Sequence, residues 1–221
     1  MRYVLGRIFS TVLFGLLLFA AAGRLDWPRA WVYLGAVLLG ELLTAAILAV
    51  ANPEILERRG KMGAGTKSYD RVFVAIWLFL AFATPVVAGL EVGRSGASPV
   101  PLAGIYVGLV VMLLAYLFGA WAMAVNEHFE LLVRIQTDRG HRVVDSGPYR
   151  IVRHPGYLAA IVGSLSAPLI LGSLWAFVPV IAGAVLFTVR TALEDRTLRE
   201  ELAGYPEYAS RTRHRLLPGI W

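Results

Sequence analysis

Between Pro155 and Arg190 the chain carries no charged residue, and this run, Gly156–Val189, sets the problem that any fold must solve. At about 1.5 Å of rise per residue it is far too long for one helical crossing of a bilayer. Gly172 and Ser173 lie near its middle, where the chain can reverse. The run reads as two short helices packed as a hairpin. Four other stretches are apolar over the roughly 20 residues that a crossing needs. They are Val4–Ala22, Ala30–Ala51, Val72–Leu90 and Leu102–Val125. The expected fold is therefore all-α, a multi-pass integral membrane protein of about six transmembrane helices, including a C-terminal helical hairpin. Cytosolic loop and tail helices complete it.

Composition agrees with this reading. Of 221 residues, 57% are hydrophobic and 16% charged, whereas soluble domains run near a quarter charged. Cysteine is absent, which removes disulfides, thiolate catalysis and cysteine metal sites. The histidines, His128, His141, His154 and His214, show no short ligand spacing, so no metal is expected. A net charge of +6 could suit nucleic acid, but the basic residues lie between apolar runs, so none is expected. They report orientation instead. The N-terminus, the second connection (Arg58, Arg59, Lys61, Lys67, Arg71), the segment before the hairpin and the tail hold 18 Lys and Arg, against 3 in the remaining connections. By the positive-inside rule both termini and the long loops are cytoplasmic. Ala20-Ala21-Ala22 resembles a signal-cleavage site, but with five apolar helices after it the first span is expected to be retained. Arg exceeds Lys by 19 to 2, which suggests a bacterial source and its inner membrane. Residues 1–125 read as a four-helix membrane region and 126–221 as the region that carries the chemistry.

The informative stretch is Val133–Tyr157, too polar to cross a membrane yet rich in Tyr, Arg and His. Gly147-Pro148 marks a turn. His154 precedes Pro155, which suits His154 to extended backbone and Pro155 to the first turn of a helix. That helix start, with Gly156 next and Arg153 beside it, would suit an anion. The same residues would equally serve a basic loop that touches lipid headgroups. Directly after the hairpin, Arg190 and Glu194 share a helix face at i,i+4. They read either as a surface ion pair or as a pair dividing its labour, Arg190 toward an anion and Glu194 toward a cation. In the tail, Tyr205, Tyr208 and Arg211 would lie on a helix in the headgroup region. Glu41, inside the second span, is unplaced and could pair with Arg7 or Arg71. Gly104-x-x-x-Gly108 reads as a helix-packing motif. Neither a phosphate-binding glycine loop nor a Gly-x-Ser-x-Gly elbow occurs.

The run RIQTDRGHRVVDSGPYRIVRHPGY, the Arg190…Glu194 pair and the segment GYPEYASRTRHRLLPGIW resemble the isoprenylcysteine carboxyl methyltransferase family, which shares much of this pattern with membrane phospholipid methyltransferases. The likeness covers the C-terminal part of the chain; the first four helices match only in being hydrophobic. It implies a multi-pass enzyme that binds S-adenosylmethionine at the cytosolic face. By that resemblance the cofactor would contact Gln136, His141, Arg142, Val143 and Val144, then Tyr149, His154, Pro155, Gly156 and Tyr157, and finally Glu194. Arg190, which would hold a substrate carboxylate, and Arg153 are the expected catalytic residues. Where many members carry Glu-Glu after the hairpin, this chain has Glu194-Asp195. The acceptor would be lipophilic, an isoprenylcysteine-like or isoprenoid carboxylate, entering from the bilayer among membrane lipids; a thiol or phospholipid amine stays open. Two other classes compete: an NADPH-dependent membrane reductase of the sterol-reductase type, and a non-enzymatic transporter or assembly protein.

Overall fold

The structure, a computed structural model, describes residues 2–58, 67–130 and 132–221. Arg59 and Lys61, counted above in the second connection, lie outside the described residues. Among those described, the chain is helical with no strand: α1 (Arg2–Ala22), α2 (Pro28–Ala51), α3 (Pro53–Arg58), α4 (Ser68–Ala88), α5 (Ala103–Val125), α6 (Pro155–Ser164), α7 (Ser166–Leu171), α8 (Phe177–Glu201) and α9 (Tyr205–Arg211). Five helices, α1, α2, α4, α5 and α8, are long and apolar enough to cross a membrane. Their outward faces are apolar, with Phe9, Leu16 and Phe79 each more than 60% exposed, as lipid contact requires. The chain is a multi-pass membrane protein.

The uncharged run does reverse at Gly172 and Ser173, where Gly172 has φ 83°, a backbone that glycine adopts without strain. Its two arms differ, however. The first arm, Pro155–Leu171, is shorter than the long spans and breaks at Leu165 into α6 and α7. Pro168 accounts for the break, because it has no N–H to donate to the Ser164 carbonyl four residues earlier and its ring crowds that carbonyl. The second arm is a 25-residue helix that runs past the apolar stretch to Glu201. Nor do the arms pack chiefly on each other. α6 and α7 lie against α5, and α8 lies against α4. Small residues seat the first arm. A Cβ on Gly108 would come within 2.6 Å of the Ile170 side chain, and one on Gly163 within 3.1 Å of Ala115. Gly104-x-x-x-Gly108 is thus a close-packing face, as its spacing suggests. The splayed arms leave a cavity of about 380 Å³ between them.

The turn is held from α4, which widens into a π-helical turn at Gly89–Gly93. Glu91 in that turn accepts the Ser173 hydroxyl and, at 3.0 Å, the Trp175 N–H. At the opposite end, the Asn52 amide after α2 donates to the Met123 carbonyl of α5 at 3.1 Å.

Candidate active site

The segment between α5 and α6 folds back over the end of α8 and over α9. Gln136 pins its first part. The side chain is buried, donates to the His128 carbonyl at 2.6 Å and accepts from Arg139 at 2.9 Å. The following turn ends at Gly140 and brings His141 back, so that its Nδ1 accepts the Gln136 N–H at 3.3 Å. The His141 and His128 rings lie 4.6 Å apart. Burial and the neighbouring His128 push the His141 pKa down to about 4. Arg142 is directed outward, with Nε 2.8 Å from Glu127. Val143 and Val144 turn inward and pack on a core of Tyr149, Leu202, Tyr205 and Tyr208.

Tyr149 stands on the short 3₁₀ turn Gly147–Arg150. Its hydroxyl accepts from the Asn126 amide at 2.8 Å, and its carbonyl accepts from the Tyr208 hydroxyl at 2.7 Å. Burial raises its pKa, so the phenol stays neutral. The backbone N–H groups of Arg153 and His154 donate to the carbonyls of His214 and Arg215 at 2.9 and 3.0 Å. Pro155 then opens α6, as expected, but His154 before it, at φ −124° and ψ 62°, is not in the extended region that the sequence suggested. Gly156 lies flat under Phe129, whose ring would sit 2.7 Å from a Cβ there. The His154 and Tyr157 rings stack at 5.6 Å, and the Tyr157 hydroxyl donates to Glu194.

One cleft gathers these groups. Gln136, His141, Arg142, Val143, Val144, Tyr149, Arg153, His154, Pro155, Gly156, Tyr157 and Glu194 all line it. Arg190 lies one layer below. Its guanidinium sits 4.9 Å from the Tyr157 ring and 4.2 Å from Phe73, and it grips Asp70 at 2.7 and 2.9 Å. Arg153 is directed away from the opening. It holds Asp195 at 2.7 and 3.1 Å and the carbonyls of Thr212 and Arg213. The i,i+4 pair also divides, with Arg190 on Asp70 and Glu194 on the Tyr157 phenol. Around the cleft Arg134 pairs with Glu130, Arg142 with Glu127 and Arg153 with Asp195. Glu194 is bonded to a phenol rather than a cation, so it adds negative charge to the lining.

Several residues of this site carry no local signal. Asp70, fully buried at the start of α4, accepts Arg190 and also the Val133 N–H at 2.8 Å. An acidic residue at the edge of an apolar span was the only hint. Phe129, Asn126 and His128 enter from the α5 end. Tyr205 and Tyr208, expected on a headgroup helix, turn inward instead. Their hydroxyls find Asp195 at 3.0 Å and the Tyr149 carbonyl, partners that lipid headgroups would not hold in place. Arg211 stays exposed beside Asp145. The cleft adjoins the cavity between the hairpin arms, and Phe129 and Gly156 line both.

Residues 106–200 match the family model described as the Isoprenylcysteine carboxyl methyltransferase (ICMT) family. No curated protein matches the chain. The match begins within α5, earlier than the sequence likeness suggests, and stops short of the Tyr-rich tail. It contains the whole loop from Asn126 to Tyr157 together with Arg190 and Glu194. Most of the cleft, though not Leu202, Tyr205 and Tyr208, thus falls within the match to the isoprenylcysteine carboxyl methyltransferase family, a family of membrane methyltransferases.

Proposed function

We propose that this chain is an S-adenosylmethionine-dependent methyltransferase at the cytoplasmic face of a bacterial inner membrane, with both termini in the cytoplasm. Its acceptor is lipophilic, and carboxyl O-methylation of an isoprenylcysteine-like or isoprenoid molecule is the reaction the family implies. The carrying observation is the juncture of two unlike spaces at Phe129 and Gly156, a polar cleft and an apolar intramembrane cavity. In this reading residues 126–221 bind the cofactor, and residues 1–125 with the hairpin arms shape the acceptor space.

The cleft lining suits a sulfonium nucleotide. Glu194 would balance a cationic centre, and the aromatic faces of Tyr149 and Tyr157 would pack on the adenine. His128 Nδ1 is buried with no hydrogen-bond partner among the described residues, a polar atom that a guest would satisfy. The enclosed volume is about 110 Å³, below the few hundred of a typical ligand cleft, so a nucleotide would extend to the open mouth.

Bound there, the cofactor would supply a methyl group on an electrophilic sulfonium. The residues of this chain align and exclude. Phe129 over Gly156 keeps water from the juncture, and loss of water strengthens every charge interaction inside. Positioning supplies the rate, since a carboxylate acceptor is already ionised and needs no general base. Tyr157 holds Glu194 by its hydroxyl and covers Arg190 with its ring. Arg190, braced by Asp70 beneath the Tyr157 ring, lines neither space and would meet an acceptor carboxylate only once that ring moved aside. Titration calorimetry on detergent-purified protein tests the reading. S-adenosylmethionine and S-adenosylhomocysteine should bind and NADPH should not. Binding of NADPH alone would support the reductase, and failure of all three would favour a non-enzymatic membrane protein.

A further inference from the structure

The tail beyond α9 is tied to the rest of the chain at the height where helices enter the bilayer. Arg153 and His154, whose N–H groups donate to the His214 and Arg215 carbonyls, stand directly before Pro155 and the uncharged run. Arg215 Nε reaches Asp195 at 3.0 Å. Asp195 lies six residues past Val189, the end of that run, roughly 9 Å at helical rise. These two attachments bracket the headgroup layer, which extends about 5–8 Å beyond the hydrocarbon core.

From there the chain closes a small loop. The Arg215, Leu216 and Leu217 N–H groups converge on the Trp221 carbonyl oxygen at 2.8, 3.0 and 3.2 Å, and the Gly219 N–H turns onto the His214 ring. Leu216 is buried, whereas Leu217 is 45% and Ile220 79% exposed. Arg213 beside them is exposed, and the Arg215 guanidinium covers the half-buried Trp221 ring at 4.8 Å. Single exposed leucines are ordinary. Here, though, a loop that satisfies its own backbone holds two large aliphatic side chains outward, at bilayer height, with arginine and tryptophan next to them. That is the make-up of a segment that lies in a lipid interface. The tyrosines of α9 are committed inward, so this loop is the part of the tail that faces lipid.

We infer that residues 213–221 form an interfacial anchor, with Leu217 and Ile220 in the acyl boundary and Arg213 on the phosphate of an anionic lipid, and that this anchor holds the cleft wall in place. The tail gives Arg153 and His154 their backbone partners, and its Thr212 and Arg213 carbonyls accept from the Arg153 guanidinium at 2.7 and 2.8 Å. Arg153 and His154 line the cleft. Lipid and a cleft ligand therefore favour the same docked tail, and each strengthens the binding of the other. Taking that ligand to be S-adenosylhomocysteine rests on the methyltransferase reading; the anchor itself does not.

The full chain in lipid nanodiscs provides the test. Ile220→Cys, a single thiol in a chain without cysteine, carries a polarity-sensitive fluorophore. Its emission should shift to the blue in discs containing phosphatidylglycerol, and less so in pure phosphatidylcholine. Hydrogen exchange at the Arg153 and His154 amides reports docking of the tail without any cofactor. In phosphatidylglycerol discs Ile220→Ser should speed that exchange about tenfold or more, the worth of burying one aliphatic side chain. Arg213→Gln should speed it about fivefold, the worth of one basic residue at an anionic surface, and Ile220→Leu should leave it unchanged. S-adenosylhomocysteine affinity should fall in step. Aqueous emission in both kinds of disc overturns the inference, as does exchange that ignores either lipid charge or Ile220→Ser. Lipid-dependent exchange with constant S-adenosylhomocysteine affinity overturns the link to the cleft. Lipid-dependent exchange with no S-adenosylhomocysteine binding at all keeps the anchor and removes the methyltransferase reading.

Discussion

Asp195 accepts from Arg153, Arg199 and Arg215 and from the Tyr205 hydroxyl, and His154 lies 3.5 Å away. A single carboxylate thereby joins the hairpin start, α8 and the tail, and the short Asp side chain keeps it at the α8 surface where all three converge. Glu194, its neighbour, is directed to the cleft. Glu194→Ala should weaken S-adenosylmethionine binding about tenfold or more, as loss of a charged partner does, with titration calorimetry as the readout. Asp70→Asn leaves the Arg190 guanidinium buried without its counter-charge. Breaking such a pair costs roughly 3–5 kcal/mol, so thermal unfolding in detergent should show a clear drop. Acceptor turnover should fall more than cofactor affinity. His141 gives a pH prediction. Its folded pKa of about 4 lies below the ordinary 6.5. Between those values the unfolded chain binds a proton that the folded one refuses, so its contribution is complete above 6.5, erodes as pH falls toward 4, and then levels off. Melting midpoints from pH 7 to pH 4 should fall less steeply in His141→Gln than in the unaltered protein.

At the scale of elements, the two hairpin arms owe their divergence to their neighbours. α6 follows α5 because small residues let the backbones close, and α8 follows α4 through Asp70–Arg190, the Tyr69–Thr197 hydroxyl contact at 3.3 Å and Lys67–Glu201 at 2.7 Å. The sequence made the reversal at Gly172 legible, since a long uncharged run can solve its length problem only by turning. It did not make the splay legible, because that depends on contacts between residues far apart in the chain, such as Gly163 with Ala115 and Arg190 with Asp70. Gly183 on α8 lines the cavity, and a Cβ there would meet nothing within 4 Å. Gly183→Leu should therefore fill space without a clash. Methylation of long-chain acceptors should drop several-fold while S-adenosylmethionine affinity holds. The melting temperature should not fall, because leucine in a helix is worth somewhat under 1 kcal/mol over glycine. A loss of cofactor affinity instead would mean that the cavity and the cleft are not separable.

For the whole molecule, hydropathy alone revealed a helical membrane protein, because a chain this poor in charge has no other way to satisfy its backbone. The loop residues that converge on the cleft were also legible, through their resemblance to one family. What stayed hidden was Asp70 as the partner of Arg190, since a single ionisable residue at the edge of an apolar span names no partner, whereas Arg7 was one of the two partners that the sequence left open for Glu41 and is the one the structure selects. The proposed orientation rests on charge and can be checked directly, because the chain has no cysteine of its own. Ala97→Cys and Ser210→Cys place single thiols at exposed positions, in the α4–α5 connection and on α9. In right-side-out vesicles an impermeant maleimide should label the first and spare the second; the opposite pattern would invert the topology.

The carbonyls of His214 and Arg215, which receive the backbone of Arg153 and His154, come after all five long helices in chain order. During synthesis on a ribosome the cleft therefore lacks its closing strap until every span has emerged. The proposed cofactor cleft thus reaches its final form only after every long helix has been made.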